Sequence, residues 1–118
     1  QILQDGASRC PTNGPIHPRT SAGVSRDGRF VWLVVVDGRQ EGFSEGMRTC
    51  EEAALMGELG CWSAMNMDGG GSSVMIAAGE DGHLRVLNRP SDRNSLRQFV
   101  SRPVPVLLGV RRKTWLVP

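Results

Sequence analysis

An α+β fold is predicted from the sequence, with a mixed, mostly antiparallel sheet and one helix packed against it. The chain has 118 residues, which suffices for one small domain with a core of its own. Its 15 glycines and 7 prolines are typical of a domain rich in strands and loops rather than a helical bundle. A single segment carries both the start and the stop signals of a helix, whereas short apolar runs bounded by turn residues recur along the chain.

The apolar runs predict seven short strands separated by turns and loops. In chain order these strands cover residues 2–4, 20–25, 30–37, 64–67, 73–78, 83–87 and 104–110. The run at 30–36 is apolar on both faces, which is typical of a central strand covered on both sides, and the run at 104–110 has the same pattern. Loops are predicted at residues 7–18, 38–48 and 88–103.

The predicted helix begins at Thr49. Thr49 and Glu52 are spaced as in a capping box, in which a hydroxyl and a carboxylate each accept from a free backbone N–H. Gly60 ends the pattern, because glycine readily takes the left-handed conformation that follows a helix. The apolar stripe of the helix consists of Leu55, Met56 and Leu59.

Composition argues against several kinds of partner. The formal net charge is only +2 and no basic cluster is interleaved with aromatic residues, so no nucleic-acid partner is predicted. No apolar run reaches the roughly 18 residues of a membrane span. No Cys or His pair has zinc-like spacing, so neither a metal nor a cofactor is predicted, although an Asp-based site for a hard cation stays open.

The three cysteines allow at most one internal disulfide. Cys50 and Cys61 should lie at opposite ends of the helix, about 16 Å apart at about 1.5 Å per residue. A disulfide needs Cα atoms within roughly 7 Å, so that pair is not expected. Cys10 paired with either of the other two, or three unpaired thiols, remain as alternatives.

The segment Asn66-Met67-Asp68-Gly69-Gly70-Gly71-Ser72-Ser73 carries the strongest chemical signal. It places a carboxylate at a strand end, followed by three residues without side chains and then two hydroxyls. Successive glycines allow backbone N–H groups to converge on an anion, and a carboxylate beside them can move a proton or fix a sugar hydroxyl. A plain tight turn is the alternative.

Other candidates lie at strand ends and in the long loop. Arg19 opens the first hairpin strand and could hold a phosphate. Asp37 and Arg39 leave the apolar strand together and could line a cleft, or could form a local ion pair. Asp92 lies in the loop at 88–103, where a local turn is the alternative. Arg102, just before the last apolar run, is a further candidate anion ligand.

Four segments occur in an order that resembles the phosphodiester glycosidase family, which includes the uncovering enzyme of the mannose 6-phosphate pathway. They are His17-Pro18-Arg19-Thr20 with Ala22-Gly23-Val24, Val36-Asp37-Gly38-Arg39-Gln40, the segment from Asn66 to Ser73, and Asn88-Arg89-Pro90-Ser91-Asp92. The resemblance implies hydrolysis of the bond between a sugar, such as N-acetylglucosamine, and the phosphate of a phosphodiester. It also implies export, and therefore a secreted or periplasmic location.

The residues themselves and the resemblance together predict site residues, in two groups; Ser73 and Asp92 are candidates from the residues alone. The residues expected to be catalytic are Asp68, Asp37 and Arg19. Those expected to bind substrate are Arg39, Asn66, Gly69, Gly70, Gly71, Ser72, Ser73 and Asp92. Met67 stands where a leucine is usual in the family.

Family domains are about twice as long as this chain, which resembles their second half only. Residues 1–118 are therefore expected to form a single domain that is the C-terminal half of a larger one. Two alternatives to an active hydrolase stay open: a non-catalytic module that binds anionic glycans, and an inactive fragment that needs its N-terminal half or a partner chain.

Overall fold

The computed structural model of the protein describes residues 1–113. Within them lie the α-helix α1 (Thr49–Glu58) and seven short strands. The strands are β1 (Leu3–Gln4), β2 (Ala7–Ser8), β3 (Arg19–Val24), β4 (Val31–Val36), β5 (Ser63–Asn66), β6 (Ile76–Ala78) and β7 (Leu84–Val86). Every strand pairing among the described residues is antiparallel, and the predicted α+β class is confirmed.

The main sheet has the order β2-β1-β5-β3-β4, and β6 and β7 form a separate hairpin. The middle strand is β5, and β3 lies between β5 and β4. Strand β3 pairs with β4 from Arg19↔Val36 to Val24↔Val31 and with β5 on its other side. The predicted central position of residues 30–36 is therefore wrong, because β4 is the outer strand and Val31 is 63% exposed. Apolar side chains on both faces of a strand usually indicate that both faces are buried. Among the described residues, however, no segment packs over the face of β4 that points away from α1.

One face of the sheet packs against α1. Alternate side chains of β3 point to the helix, and the Ser21 hydroxyl lies 3.4 Å from Met56 Sδ. Met56 is fully buried at the centre of this contact. The core consists of Ile2, Leu3, Ala53, Met56, Cys61 and Ala64. Burial of these apolar side chains is the main force that holds the helix to the sheet.

The helix begins at the predicted residue, but its cap is shifted by one. Arg48 occupies the N-cap position, and its backbone N–H donates to Glu51 Oε2 at 2.7 Å. The predicted capping box of Thr49 and Glu52 is wrong, because the acid three residues after the cap is Glu51. Glu52 instead turns inward and is fully buried. Gly60 ends the helix as predicted, with φ at +97°.

Two segments differ from the predicted elements. Residues 7–18 were expected to be a loop, yet β2 lies within them and pairs with β1. Residues 104–110 were expected to form a strand, yet they have no regular structure, and Leu107 is 77% exposed. A strand forms only where its backbone pairs with a neighbour, and residues 104–110 pair with no strand of the described chain.

Candidate active site

A cleft of about 280 Å³ lies at the edge of the sheet where β3 begins. Because β3 is antiparallel to β4 and β5, its first residue lies beside the last residues of both neighbours. The segments around residues 17–19, 37–39 and 66–71 therefore meet at this edge. The cleft is lined by His17, Pro18, Arg19, Arg39, Asp68, Gly69, Gly70, Gly71 and Arg102.

Arg19 is fixed in the wall of the cleft by the backbone of two loops. Its Nε donates to the carbonyl of Met47 at 2.8 Å and its Nη2 donates to that of Pro15 at 2.6 Å. The side chain is only 8% exposed, so its position is set by these bonds and by packing rather than by solvent. A guanidinium held in this way presents its remaining N–H groups to an anion without further loss of side-chain freedom.

Arg39 approaches the same space from the end of β4. Its backbone has φ of +56°, a left-handed conformation that is unusual for a residue with a side chain and is often found at functional sites. Its Nη2 lies 3.3 Å from His17 Nδ1. A Cβ placed on Gly70 would lie 3.0 Å from Arg39 Nη1, so the guanidinium rests directly on this glycine. Gly70 itself has φ of +63°, which favours glycine for a second reason.

The glycine run is anchored to the segment before β3. Gly70 donates its backbone N–H to the Pro18 carbonyl at 3.0 Å, and the residues from Gly70 to Ser72 form one turn of 3₁₀ helix. The backbone N–H groups of Ser72 and Ser73 donate to carbonyls of the same turn. Three amides are thus used to shape the loop. Gly69 and Gly71 remain as the amides of the glycine run that can serve an anion.

Gly71 carries an ion pair on its surface. Arg102 Nε lies 2.6 Å from Asp92 Oδ2, and Arg102 Nη2 donates to Asp92 Oδ1 at 3.0 Å. A Cβ on Gly71 would overlap both side chains. Asp92, expected to bind substrate, instead holds Arg102 at the rim of the cleft. Arg102 was only a weak candidate in the sequence, where its one signal was a position just before an apolar run.

Asp68 is the carboxylate that lines the cleft. It is exposed, and within residues 1–113 its carboxylate takes part in no hydrogen bond or ion pair. Three arginines and one histidine line the same space. The cleft is therefore positively charged overall and contains one carboxylate that is available to a bound molecule.

Asp37 does not line the cleft, and its carboxylate is already hydrogen-bonded. It accepts from the Arg89 backbone N–H at 3.1 Å and from Asn88 Nδ2 at 2.9 Å. The same Asn88 Nδ2 donates to the Ser73 carbonyl at 2.9 Å, and Asn88 Oδ1 accepts from the Met75 backbone N–H at 2.8 Å. Asp37 and Asn88 together join the end of β4, the glycine loop and the start of the long loop.

Three other expected substrate ligands lie behind the cleft rather than in its lining. Asn66 Nδ2 donates to the Met67 carbonyl at 3.0 Å, and its Oδ1 is buried without a partner among the described residues. Ser73 is almost fully buried, and its hydroxyl also has no partner there. Ser72 is half-buried within the 3₁₀ turn. These residues support the loop from below.

Glu52 lies near the site, although the sequence predicted for it only a role in the helix cap. Burial raises the pKa of its carboxyl, while the positive charge of Arg19 acts in the opposite direction. The spacing could have predicted its inward position, because Glu52 and Met56 are four residues apart and therefore share a helix face. That face is the one that packs on the sheet.

Two kinds of feature are absent from residues 1–113. No helix there is long and apolar enough to cross a membrane. No three His, Cys, Asp or Glu side chains there cluster closely enough to hold a metal ion.

The sequence of the chain matches the model of the phosphodiester glycosidase family over residues 1–111. The chain belongs to this family. No curated protein matches it. The family match covers all the segments that form the cleft, so the cleft is a feature of a phosphodiester glycosidase chain.

Two solved structures are similar to this chain. A provisionally assigned exported protein of Burkholderia pseudomallei is 42% identical over 71% of the chain, with a TM-score of 0.58. The catalytic domain of zebrafish N-acetylglucosamine-1-phosphodiester alpha-N-acetylglucosaminidase, auto-inhibited by its pro-peptide, is 24% identical over 87% of the chain, with a TM-score of 0.69. The matched regions are 14% and 37% of those chains, so this phosphodiester glycosidase chain spans a minor part of each.

Proposed function

We propose that the chain forms the C-terminal half of a hydrolase that cleaves the glycosyl–phosphate bond of sugar-1-phosphodiesters. The observation that supports this most is the pairing of one available carboxylate, Asp68, with the arginines of a single positively charged cleft. A phosphodiester needs a cationic site for its phosphate, and the adjacent glycosidic carbon needs a carboxylate close by.

In this proposal Arg19 and Arg39 bind the phosphate. The two guanidiniums reach the cleft from β3 and from the end of β4, so they can contact the anion from two directions. When the glycosyl–phosphate bond breaks, the leaving phosphate gains negative charge. Fixed positive groups stabilise this charge more in the transition state than in the bound substrate, because they need no reorganisation. The amides of Gly69 and Gly71 add hydrogen bonds on the same side.

Asp68 acts on the sugar side, as nucleophile or as acid and base. It is exposed and makes no competing hydrogen bond within the described chain, so a substrate can approach it directly. Asp37 is the other carboxylate that was expected to be catalytic. Its bonds to Asn88 and Arg89 assign it the task of holding the long loop, and a direct chemical role would require those bonds to open.

The open face of the sheet supports the view that a complete domain needs more polypeptide. A groove of about 500 Å³ on that face is lined mainly by apolar side chains of β3, β4 and β5. Val31 and Met65 are exposed there. Extended apolar surfaces of this kind are normally covered by another segment. The N-terminal half of the domain is the proposed cover, and export of the whole protein is proposed from the Burkholderia pseudomallei relative.

Release of N-acetylglucosamine from UDP-N-acetylglucosamine tests the proposal. The chain is assayed alone and together with the preceding half of a family domain. We expect release only with both halves, and we expect Asp68→Asn to abolish it with little change in melting temperature. If neither preparation releases sugar, the hydrolase proposal is wrong.

A non-catalytic module that binds anionic glycans is the second candidate. It is favoured by the excess of cations in the cleft and by the use of three loop amides in structure rather than in the site. Such a module would bind a sugar phosphodiester saturably in both preparations and release no product. Its affinity would also be insensitive to Asp68→Asn or increased by it, because this change removes a negative charge.

A further inference from the structure

A layer of polar groups lies buried between α1 and the sheet, directly behind the cleft wall. Glu52 is fully buried, and neither of its carboxylate oxygens has a hydrogen-bond partner among the described residues. Ser21 is 1% exposed, and the hydroxyl of this residue points to Met56. The Oδ1 atom of Asn66, which pairs with Ser21 across the sheet, is also buried without a partner within residues 1–113.

The packing places Glu52 and Arg19 on the same side of the sheet, within the layer between β3 and α1. Met56 contacts Ser21, and Glu52 lies one helical turn before Met56 on the same face of α1. One turn of helix rises about 5.4 Å, and two residues of strand span about 6.6 Å. The distance along α1 from Met56 to Glu52 is therefore similar to the distance along β3 from Ser21 to Arg19. Arg19 is the charged group that acts on the Glu52 carboxyl, and burial of that carboxyl raises its pKa.

A buried acid in this position is costly and needs a physical reason. The neighbouring inward residues of α1 are Ala53 and Met56, which pack without polar atoms to satisfy. An ionised carboxylate removed from water loses its hydration, and it is retained only where a cation compensates it. Arg19 supplies that charge from the opposite side of the layer, with its own Nε and Nη2 already occupied by backbone carbonyls.

We propose that Glu52 is a positioning residue of the cleft, which through its protonation state sets the charge that Arg19 presents to a bound anion. The proposal rests on the proposed function only in taking Arg19 as an anion ligand. When Glu52 is ionised, its negative charge offsets the positive charge of Arg19 from the side away from the cleft, and anions in the cleft are bound weakly. When Glu52 is protonated the full charge of Arg19 faces the cleft, and anions are held more tightly.

Proton uptake and anion binding are therefore linked. A bound anion adds negative charge beside Arg19 and therefore favours the protonated form of Glu52. Protonation of Glu52 strengthens anion binding by the same free energy. The groups that face Glu52 are Arg19 and Ser21 from β3 and the uncharged Asn66 from β5. His17 and Asp68 are further ionisable groups in the lining of the cleft, so the experiment must separate their effects from that of Glu52.

Binding of dimethyl phosphate to the whole chain tests the linkage. This anion is a phosphodiester whose charge does not change in the range from about pH 4 to pH 8, so any change of affinity belongs to the protein. We expect the affinity of the wild-type protein to rise as the pH falls. In Glu52→Gln we expect affinity at pH 8 to be at least about fivefold tighter than in wild type, with most of the pH dependence lost.

Matched variants separate the contributions. Glu52→Asp retains the charge and should retain the pH dependence, which also covers the case in which Glu52→Gln fails to fold. His17→Gln removes the ionisable imidazole from the cleft lining and should leave the contribution of Glu52 in place. Arg19→Gln should weaken binding at every pH and abolish the effect of Glu52→Gln.

The result that overturns the inference is a Glu52→Gln protein that folds and binds dimethyl phosphate with the affinity and pH profile of the wild type. An unchanged pH profile in Glu52→Asp combined with weaker binding in Glu52→Gln would also overturn it, because the sign of the charge effect would be wrong. A linked proton without any sugar release would leave the inference intact and would count only against the hydrolase proposal.

Discussion

The guanidinium of Arg102 and the carboxylate of Asp92 form a two-point ion pair that lies directly on Gly71. The pair brings a residue of the last loop to the rim of a cleft built from β3, β4 and the glycine run. The carboxylate also offsets the positive charge that Arg102 offers to an anion. Both side chains are partly exposed, so the pair positions the arginine more than it stabilises the fold.

Removing the carboxylate should therefore strengthen anion binding. In Asp92→Asn the charge of Arg102 is no longer compensated, and we expect tighter binding of dimethyl phosphate with a loss of stability of at most about 1 kcal/mol. Asp81→Asn is the matched control, since Asp81 pairs with Arg85 in the β6–β7 hairpin outside the cleft lining. Equal effects of the two changes on affinity would show that only overall charge matters.

Gly70 should be required for the site and not only for the turn. An alanine at φ of +63° is strained, and its methyl group would press on the Arg39 guanidinium. Gly42→Ala is the control, because Gly42 has φ of +74° and open space around it. We expect similar losses of about 1 kcal/mol from the strain in both, and weaker dimethyl phosphate binding in Gly70→Ala alone. Unchanged binding in Gly70→Ala would remove Arg39 from the site.

Glu52→Gln should also change the pH dependence of stability. The pKa of Glu52 is raised in the folded protein, so folding takes up a proton in the window between the unfolded and the folded pKa. The contribution of Glu52 to stability is thus fully present below its unfolded pKa and lost as the pH rises through the folded value. We expect Glu52→Gln to melt higher than wild type at pH 8, and this advantage should disappear near pH 4. A constant difference across the range would contradict the raised pKa.

Asp37 and Asp68, the two carboxylates expected to be catalytic, should behave differently. Asp37→Ala removes the acceptor of the Asn88 and Arg89 hydrogen bonds, and we expect it to destabilise the fold by about 1–3 kcal/mol. Asp68→Ala removes an exposed side chain without such bonds and should change the melting temperature little. Denaturant unfolding of both variants measures this. A stable Asp37→Ala protein would mean that the long loop is held by other contacts.

Oxidation should join Cys10 to Cys50. All three cysteines are free thiols in the structure, but Cys10 Sγ lies 3.3 Å from the Thr49 carbonyl and Cys50 Sγ lies 3.4 Å from the Thr12 carbonyl, so the two thiols lie on facing segments. With oxidised glutathione as oxidant, we expect this disulfide and a stabilisation of about 2–4 kcal/mol. Peptide mapping under non-reducing conditions checks it, with Cys61→Ser as a control that retains the bond. A bridge to the buried Cys61 would refute the prediction.

The sequence predicted the cleft better than it predicted the sheet around it. Arg19, Arg39 and Asp68 lie at strand ends, and antiparallel pairing brings such ends together whatever the details of packing. Glu52 was misassigned because the N-cap is Arg48 and not Thr49. The acid three residues after the cap is therefore Glu51, which accepts from the Arg48 backbone N–H, and Glu52 faces inward.

The strand at 104–110 and the central position of β4 were wrong for a common reason. Apolar side chains on both faces indicate that a segment tends to be buried. Which part of the polypeptide buries it depends on the whole fold and cannot be read from the segment itself. Arg102 also depended on tertiary structure, because only the contact with Asp92 over Gly71 places it at the cleft.

The outer position of β4 has a practical consequence for handling the protein. Its six residues, Val-Trp-Leu-Val-Val-Val, carry neither charge nor proline, and one edge of its backbone has no strand partner among residues 1–113. Natural edge strands usually carry charges, prolines or bulges that prevent strand-to-strand association. Without such protection the chain should self-associate through β4 as its concentration rises, and the aggregates should be rich in intermolecular β structure. Val31→Lys should suppress this self-association. It should leave the cleft unchanged, because the cleft lies at the other end of β4.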